Sequence, residues 1–184
     1  MKISWTKVLL LMTILAGSSS QAQLRVPVTN NDLRINLQKI VSDFPNQFSA
    51  LRGDTLIENP QSIEFASRLE FSGAMENSIT QYKSIKPIYS WQALLINTEE
   101  FDEAEKKYKW LYNQLKVMTI ALDNGYSFTM SGDYEAPDES RKFSSSIFKL
   151  TPNASTMPKL KIEVSMQFEF PFRIVFNCRS RNFN

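Results

Sequence analysis

From Leu160 to Cys178 every even-numbered residue is apolar, while the odd-numbered ones are mostly polar or charged. A period of two belongs to a strand with one dry face. Unbroken, such a strand would run about 60 Å at about 3.3 Å per residue, which exceeds the usual strand length. The stretch therefore has to bend or divide. Pro171 offers no N–H to a ladder and marks the bend or an edge position. One wet side and one dry side predict an antiparallel sheet covered on a single face.

Two segments with a period near 3.6 supply the cover. After Asn30 and Asn31, which are good N-cap residues, Leu33, Leu37, Ile40, Val41 and Phe44 recur at helical spacing until Pro45. Phe48 and Leu51 continue the stripe for a further turn, up to Gly53. The second helix runs from Asn97 to Met118, with Asn97 as cap and Glu100 three residues on. Glu99, Glu100, Asp102, Glu103 and Glu105 crowd its start and lysines its later turns, as the helix dipole favours. Phe101, Ala104, Tyr108, Leu111, Leu115 and Met118 form its inward stripe.

Strand spacing also marks Ile63 to Phe71, more weakly Ser78 to Lys83, then Tyr89 to Ile96, Tyr126 to Ser131, and Lys142 to Leu150. Apolar residues on both sides near Ile96 indicate a central strand, with Tyr89 and Trp91 in the core. The predicted architecture is a single α+β domain over residues 23–184, an antiparallel sheet of about five strands with two amphipathic helices packed on one face. Each buried side chain of the long alternation contributes roughly 1.5 to 3 kcal/mol.

The first 22 residues change the picture of where this domain works. Lys2 and Lys7 precede an apolar run from Val8 to Ala16, followed by small and polar residues ending Ser20-Gln21-Ala22. That order matches a secretory signal peptide over 1–22, and the run falls short of the roughly 20 apolar residues of a membrane span. The other reading is an uncleaved N-terminal anchor. Cleavage after residue 22 leaves 162 of 184 residues and removes two of 21 basic groups, so 19 basic face 19 acidic ones. A neutral chain has little general attraction for phosphate backbones, so nucleic acid is a poor partner. The expected location is secreted or periplasmic, without stable membrane insertion after cleavage.

The chain has no histidine and one cysteine, Cys178. Ser-His-Asp and Cys-His catalysis, histidine-ligated zinc and histidine pH switching all drop out. Cys178 falls in the apolar phase and reads as a buried small hydrophobe, with pairing between chains as the alternative. No cofactor or metal is expected. Asp133, Glu135, Asp138 and Glu139 form an acidic loop whose spacing misses the calcium-binding loop and which contains Pro137, so it reads as solvated. Two of these acids could serve a glycosidase, since that chemistry needs paired carboxylates and no histidine.

Trp110 is the candidate contact residue. At about 100° per residue it lies about 130° from the centre of the inward stripe of its helix, on the side of Lys106, Asn113 and Val117. These four make a candidate binding surface for a protein or glycan, because aromatic residues dominate binding hot spots. Cover by a loop or by the N-terminal arm is the alternative. Arg173, Arg179 and Arg181 make the chain end basic, which reads as a solvated end. Asn153-Ala154-Ser155 is an isolated glycosylation pattern, incidental in a bacterial exported protein.

The runs F-S-A-L-R-G (Phe48 to Gly53) and L-E-F-S-G (Leu69 to Gly73), the Trp91 strand, and A-x-x-x-Y-x-x-L-x-x-x-L (Ala104 to Leu115) resemble small secreted bacterial proteins of unassigned function, over residues 44–118. The resemblance implies export and carries over no active-site residue. The functional expectation is an exported binding or adaptor module without catalysis. The alternative is a carboxylate-dependent hydrolase acting on envelope or extracellular polysaccharide.

Overall fold

The computed structural model describes residues 29–122, 125–152, 157 and 159–180. The leader, the glycosylation pattern and Arg181 lie outside them. The elements in chain order are α1 (Asn30–Asp43), a 3-10 turn (Phe44–Asn46), β1 (Arg52–Glu58), β2 (Ser62–Ser67), β3 (Glu76–Tyr82), β4 (Ile88–Thr98), α2 (Phe101–Lys116), β5 (Thr119–Ala121), β6 (Ser127–Gly132), β7 (Phe143–Thr151), β8 (Leu160–Gln167) and β9 (Phe172–Ser180). The strands form one sheet of nine in the order β1-β2-β3-β4-β9-β8-β7-β6-β5. Every neighbouring pair is antiparallel.

The α+β class and the two helices agree with the sequence, but the sheet has nine strands where about five were expected. Three reasons account for the difference. β1 lies almost wholly in a stretch to which no element was assigned, and the further helical turn read at Phe48 and Leu51 just before it does not form: Pro45 enters a 3-10 turn, and Gln47 and Phe48 take left-handed conformations that no helix continues. β5 spans three residues, too few to show a period. The long alternation counts as two strands.

That division follows from the register of the hairpin. Ile162 pairs with Cys178, Val164 with Phe176 and Met166 with Ile174. Even residues therefore oppose even residues, and in an antiparallel pair opposed side chains share a face. The alternation survives the turn through 168–171 for that reason. Pro171 lies in this turn, where no ladder bond is required of it. Phe168 is half-buried and Phe170 exposed, so the dry phase lapses at the turn alone.

Both helices pack on this dry face. Leu33, Leu37, Ile40 and Val41 of α1 and Ala104, Tyr108, Leu111 and Leu115 of α2 join buried residues from β3 to β9 in one core. Trp91 is wholly buried at its centre, its ring 5.4 Å from Phe71 and 6.1 Å from Phe176, and its indole N–H donates to Ser67 Oγ at 3.0 Å. Tyr112 is buried too, which makes the inward stripe of α2 one residue wider than its spacing indicated. The caps shift by a residue or more. Thr29 Oγ1 accepts from Asp32 N–H in α1, and Thr98 Oγ1 accepts from Glu100 N–H before α2 while donating to Glu103 at 2.6 Å.

Candidate functional site

Among the described residues no helix lies on the other face of the sheet, and its side chains are the polar half of each alternation. Opposed residues build rows across the strands. One runs Thr80, Ser90, Arg179, Lys161, and the next Ser78, Gln92, Asn177, Glu163. Ser90 Oγ donates from one row to Asn177 Oδ1 of the next at 2.7 Å, and within the second row Gln92 Nε2 donates to Ser78 Oγ at 3.1 Å. Glu163 is only 8 % exposed on this face because Arg179 and Lys161 both reach its Oε2, at 2.9 and 3.2 Å. A carboxylate held by two cations is desolvated without being left unpaired. The rows thus fix side chains that would otherwise rotate freely.

Beside them lies a groove of about 450 Å3. Its walls come from six strands, with Glu64 of β2, Glu76 of β3, Gln92 of β4, Gln167 of β8 and Arg173 of β9 around a floor of Leu94 and Val175, and Leu56 of β1 at its margin. A groove that spans six strands marks a concave stretch of the sheet. With Asn77 and Ser78, which also line it, it gathers two carboxylates, three carboxamides, a hydroxyl and a guanidinium, so donors and acceptors of both charge types face one space.

The sequence-predicted contact residues sit on the other side of the molecule. Lys106, Asn113 and Val117 are exposed, Val117 by 80 %, whereas Trp110 is half-buried and packed against the core. Lys107 Nζ lies 4.8 Å from the Trp110 ring centroid, a cation–π contact on the same helix. Of the four, Val117 lines a groove of about 490 Å3, together with Met118, Thr119 and Arg34. The acidic loop is tied into itself: Arg141 pairs with Glu135 at 2.7 Å and with Asp138 at 3.4 Å, and Ser140 donates to Asp138 at 2.6 Å. These bonds hold the Asp138 carboxyl below its ordinary range, the Ser140 hydroxyl contributing most. Asp133 and Glu139 are exposed, and none of the four acids lines either of the grooves just described.

Among the described residues no three Asp, Glu, Cys or His side chains are grouped as a metal site. No described helix is long and apolar enough to cross a membrane. Cys178 is wholly buried, and burial pushes its thiol well above the usual range. The groove residues were legible only as members of polar phases. Arg173 and Arg179 read as part of a solvated chain end, whereas β9 carries both into the sheet, and the meeting of Glu64 with Arg173 depends on β4 pairing with β9, which no local pattern shows. Comparison with protein-family models and with curated proteins gives no match.

Proposed function

We propose that this protein is an exported binding module whose uncovered sheet face holds a hydroxyl-rich ligand, a short glycan. The observation that carries this reading is the six-strand groove, where Glu64, Glu76, Gln92, Gln167 and Arg173 converge over Leu94 and Val175. A sugar ring presents hydroxyls that both donate and accept, around apolar C–H faces. Carboxylates accept, a guanidinium donates, and carboxamides do both, so this lining answers each hydroxyl with a partner. The ordered rows beside the groove lower the entropy lost on binding. Export is supported by the leader-like first 22 residues, and the neutral charge of 23–184 favours hydrogen bonding over attraction to polyanions.

Calorimetry of the 23–184 protein against envelope and extracellular oligosaccharides tests this. One class should bind; Arg173→Ala should weaken it about tenfold or more, the worth of a lost charge-assisted bond, and Gln92→Ala about three- to tenfold, the worth of a neutral one. Binding that both variants leave unchanged would remove the groove from consideration.

A hydrolase is the second reading, and the pairing of Glu64 with Glu76 in one groove is what favours it. Glycoside cleavage uses two carboxyl groups, one as acid and one as base or nucleophile. Release of reducing ends from a bound oligosaccharide, lost in both Glu64→Gln and Glu76→Gln, would establish that reading. Unchanged oligosaccharide after prolonged incubation would leave the protein as a binder.

A further inference from the structure

At the end of the sheet where α1 stops lies a separate groove of about 450 Å3, made from four distant parts of the chain, the last of them Ser180 of β9. Phe44, Pro45 and Phe48 form one wall, Pro87 and Tyr89 another, and Met157 with Lys159 a third. It shares no residue with the groove on the sheet face. The first wall is held in a conformation its residues seldom adopt. Gln47 and Phe48 have φ of 59° and 56°, a left-handed pair without glycine. Asp43, 7 % exposed, holds them there: its Oδ2 accepts from Ala50 N–H at 2.9 Å and Leu51 N–H at 3.1 Å, and its carbonyl accepts from Phe48 N–H at 3.0 Å. The wall is therefore formed in advance of any ligand.

Its charge has one sign. Lys86 and Lys159 line the groove and no carboxylate does. Neither lysine makes an ion pair with a described residue. A cationic rim over aromatic, proline and methionine walls complements a molecule with an apolar body and a single negative end.

We propose that this groove binds a medium-chain aliphatic monocarboxylate, its carboxylate at Lys86 and Lys159 and its chain against Phe44, Pro45, Pro87 and Tyr89. The lysines supply point charges that accommodate a carboxylate without fixed bidentate geometry. The chain takes the solvent-facing parts of Phe44, Pro45, Pro87 and Tyr89, whereas Phe48 and Met157 are buried. The site stands apart from the sheet-face reading, and failure of either leaves the other in place.

Calorimetric titration of the 23–184 protein with decanoate, decanol and decyltrimethylammonium tests it. Decanoate should bind one to one and about tenfold or more tighter than decanol, and the cation should not compete. In a Lys86→Gln, Lys159→Gln variant, decanoate should fall to the affinity of decanol with the melting temperature unchanged, since both lysines are exposed. The decanoate preference should also shrink as salt is raised. No heat with decanoate up to about 1 mM, equal affinity for decanol, or a double variant that keeps the preference would each overturn the proposal.

Discussion

Tyr108 shows how a single side chain can set a limit of stability. Its hydroxyl lies 2.9 Å from Ser146 Oγ inside the core, and burial pushes its pKa up to about 12 from the ordinary value of 10, partly offset by that hydrogen bond. Below pH 10 both folded and unfolded chains keep the proton. Between about 10 and 12 only the folded chain keeps it, so unfolding releases a proton and stability falls as pH rises, by about 1.4 kcal/mol per unit and on the order of 2 to 3 kcal/mol in all. Tyr108→Phe should cost roughly 1 to 2 kcal/mol at pH 8, and urea melts at pH 8 and 11.5 should show the gap to wild type closing. A gap that stays constant would mean the phenol is not shielded. Trp110→Ala removes a half-buried ring packed on the core, and should cost about 1 to 2 kcal/mol, where a wholly buried aromatic costs about 3 to 5. Cys178 should resist a thiol reagent at pH 8 in the native protein and react fully once unfolded, because the reagent needs an accessible thiolate. Native labelling, or a disulfide-linked dimer, would contradict its burial.

At the scale of elements, the close approach of β6 to β7 rests on Gly132. A Cβ there would collide with the Ile147 carbonyl oxygen and lie 3.0 Å from Phe148 Cδ1, and the Gly132 carbonyl already accepts from Tyr112 OH at 3.0 Å. Gly132→Ala should therefore force the strands apart and cost about 2 kcal/mol or more, readable as a lower urea midpoint with an unchanged slope. The helices were legible because each presents an apolar stripe at a strong period, and Pro45 correctly ended the first. The caps fell elsewhere than expected: Thr29 precedes the two asparagines at α1, and because β4 holds the chain through Thr98 the cap position of α2 moves from Asn97 to Glu100. β1 was hidden for a different reason. Its Leu56 and Ile57 are both exposed, 57 % and 51 %, so an edge strand with no dry face leaves no period to find. Trp110 was correctly set off the inward stripe, yet spacing alone could not show that a ring so large still reaches the core from its flank.

At the largest scale, eight strand pairs join the nine strands of the described residues, and seven of them link neighbours in the chain. The exception is β4 with β9, where Trp91 opposes Cys178 and Ala93 opposes Phe176. No rule of local pattern reveals such a seam, which is why the sheet-face groove was invisible beforehand while its polar residues were not. β1 ends the sheet on one side with two register shifts against β2, and β5 ends it on the other with three residues. Bulged or very short edges discourage pairing between molecules. The seam also means that the polypeptide consists of two meanders, 52–98 and 119–180, spliced by α2. A nick beside the exposed Val117 should consequently yield two pieces that recognise each other, and a reporter divided between separately expressed halves would light up only when both are present, with Ala93→Asp silencing it.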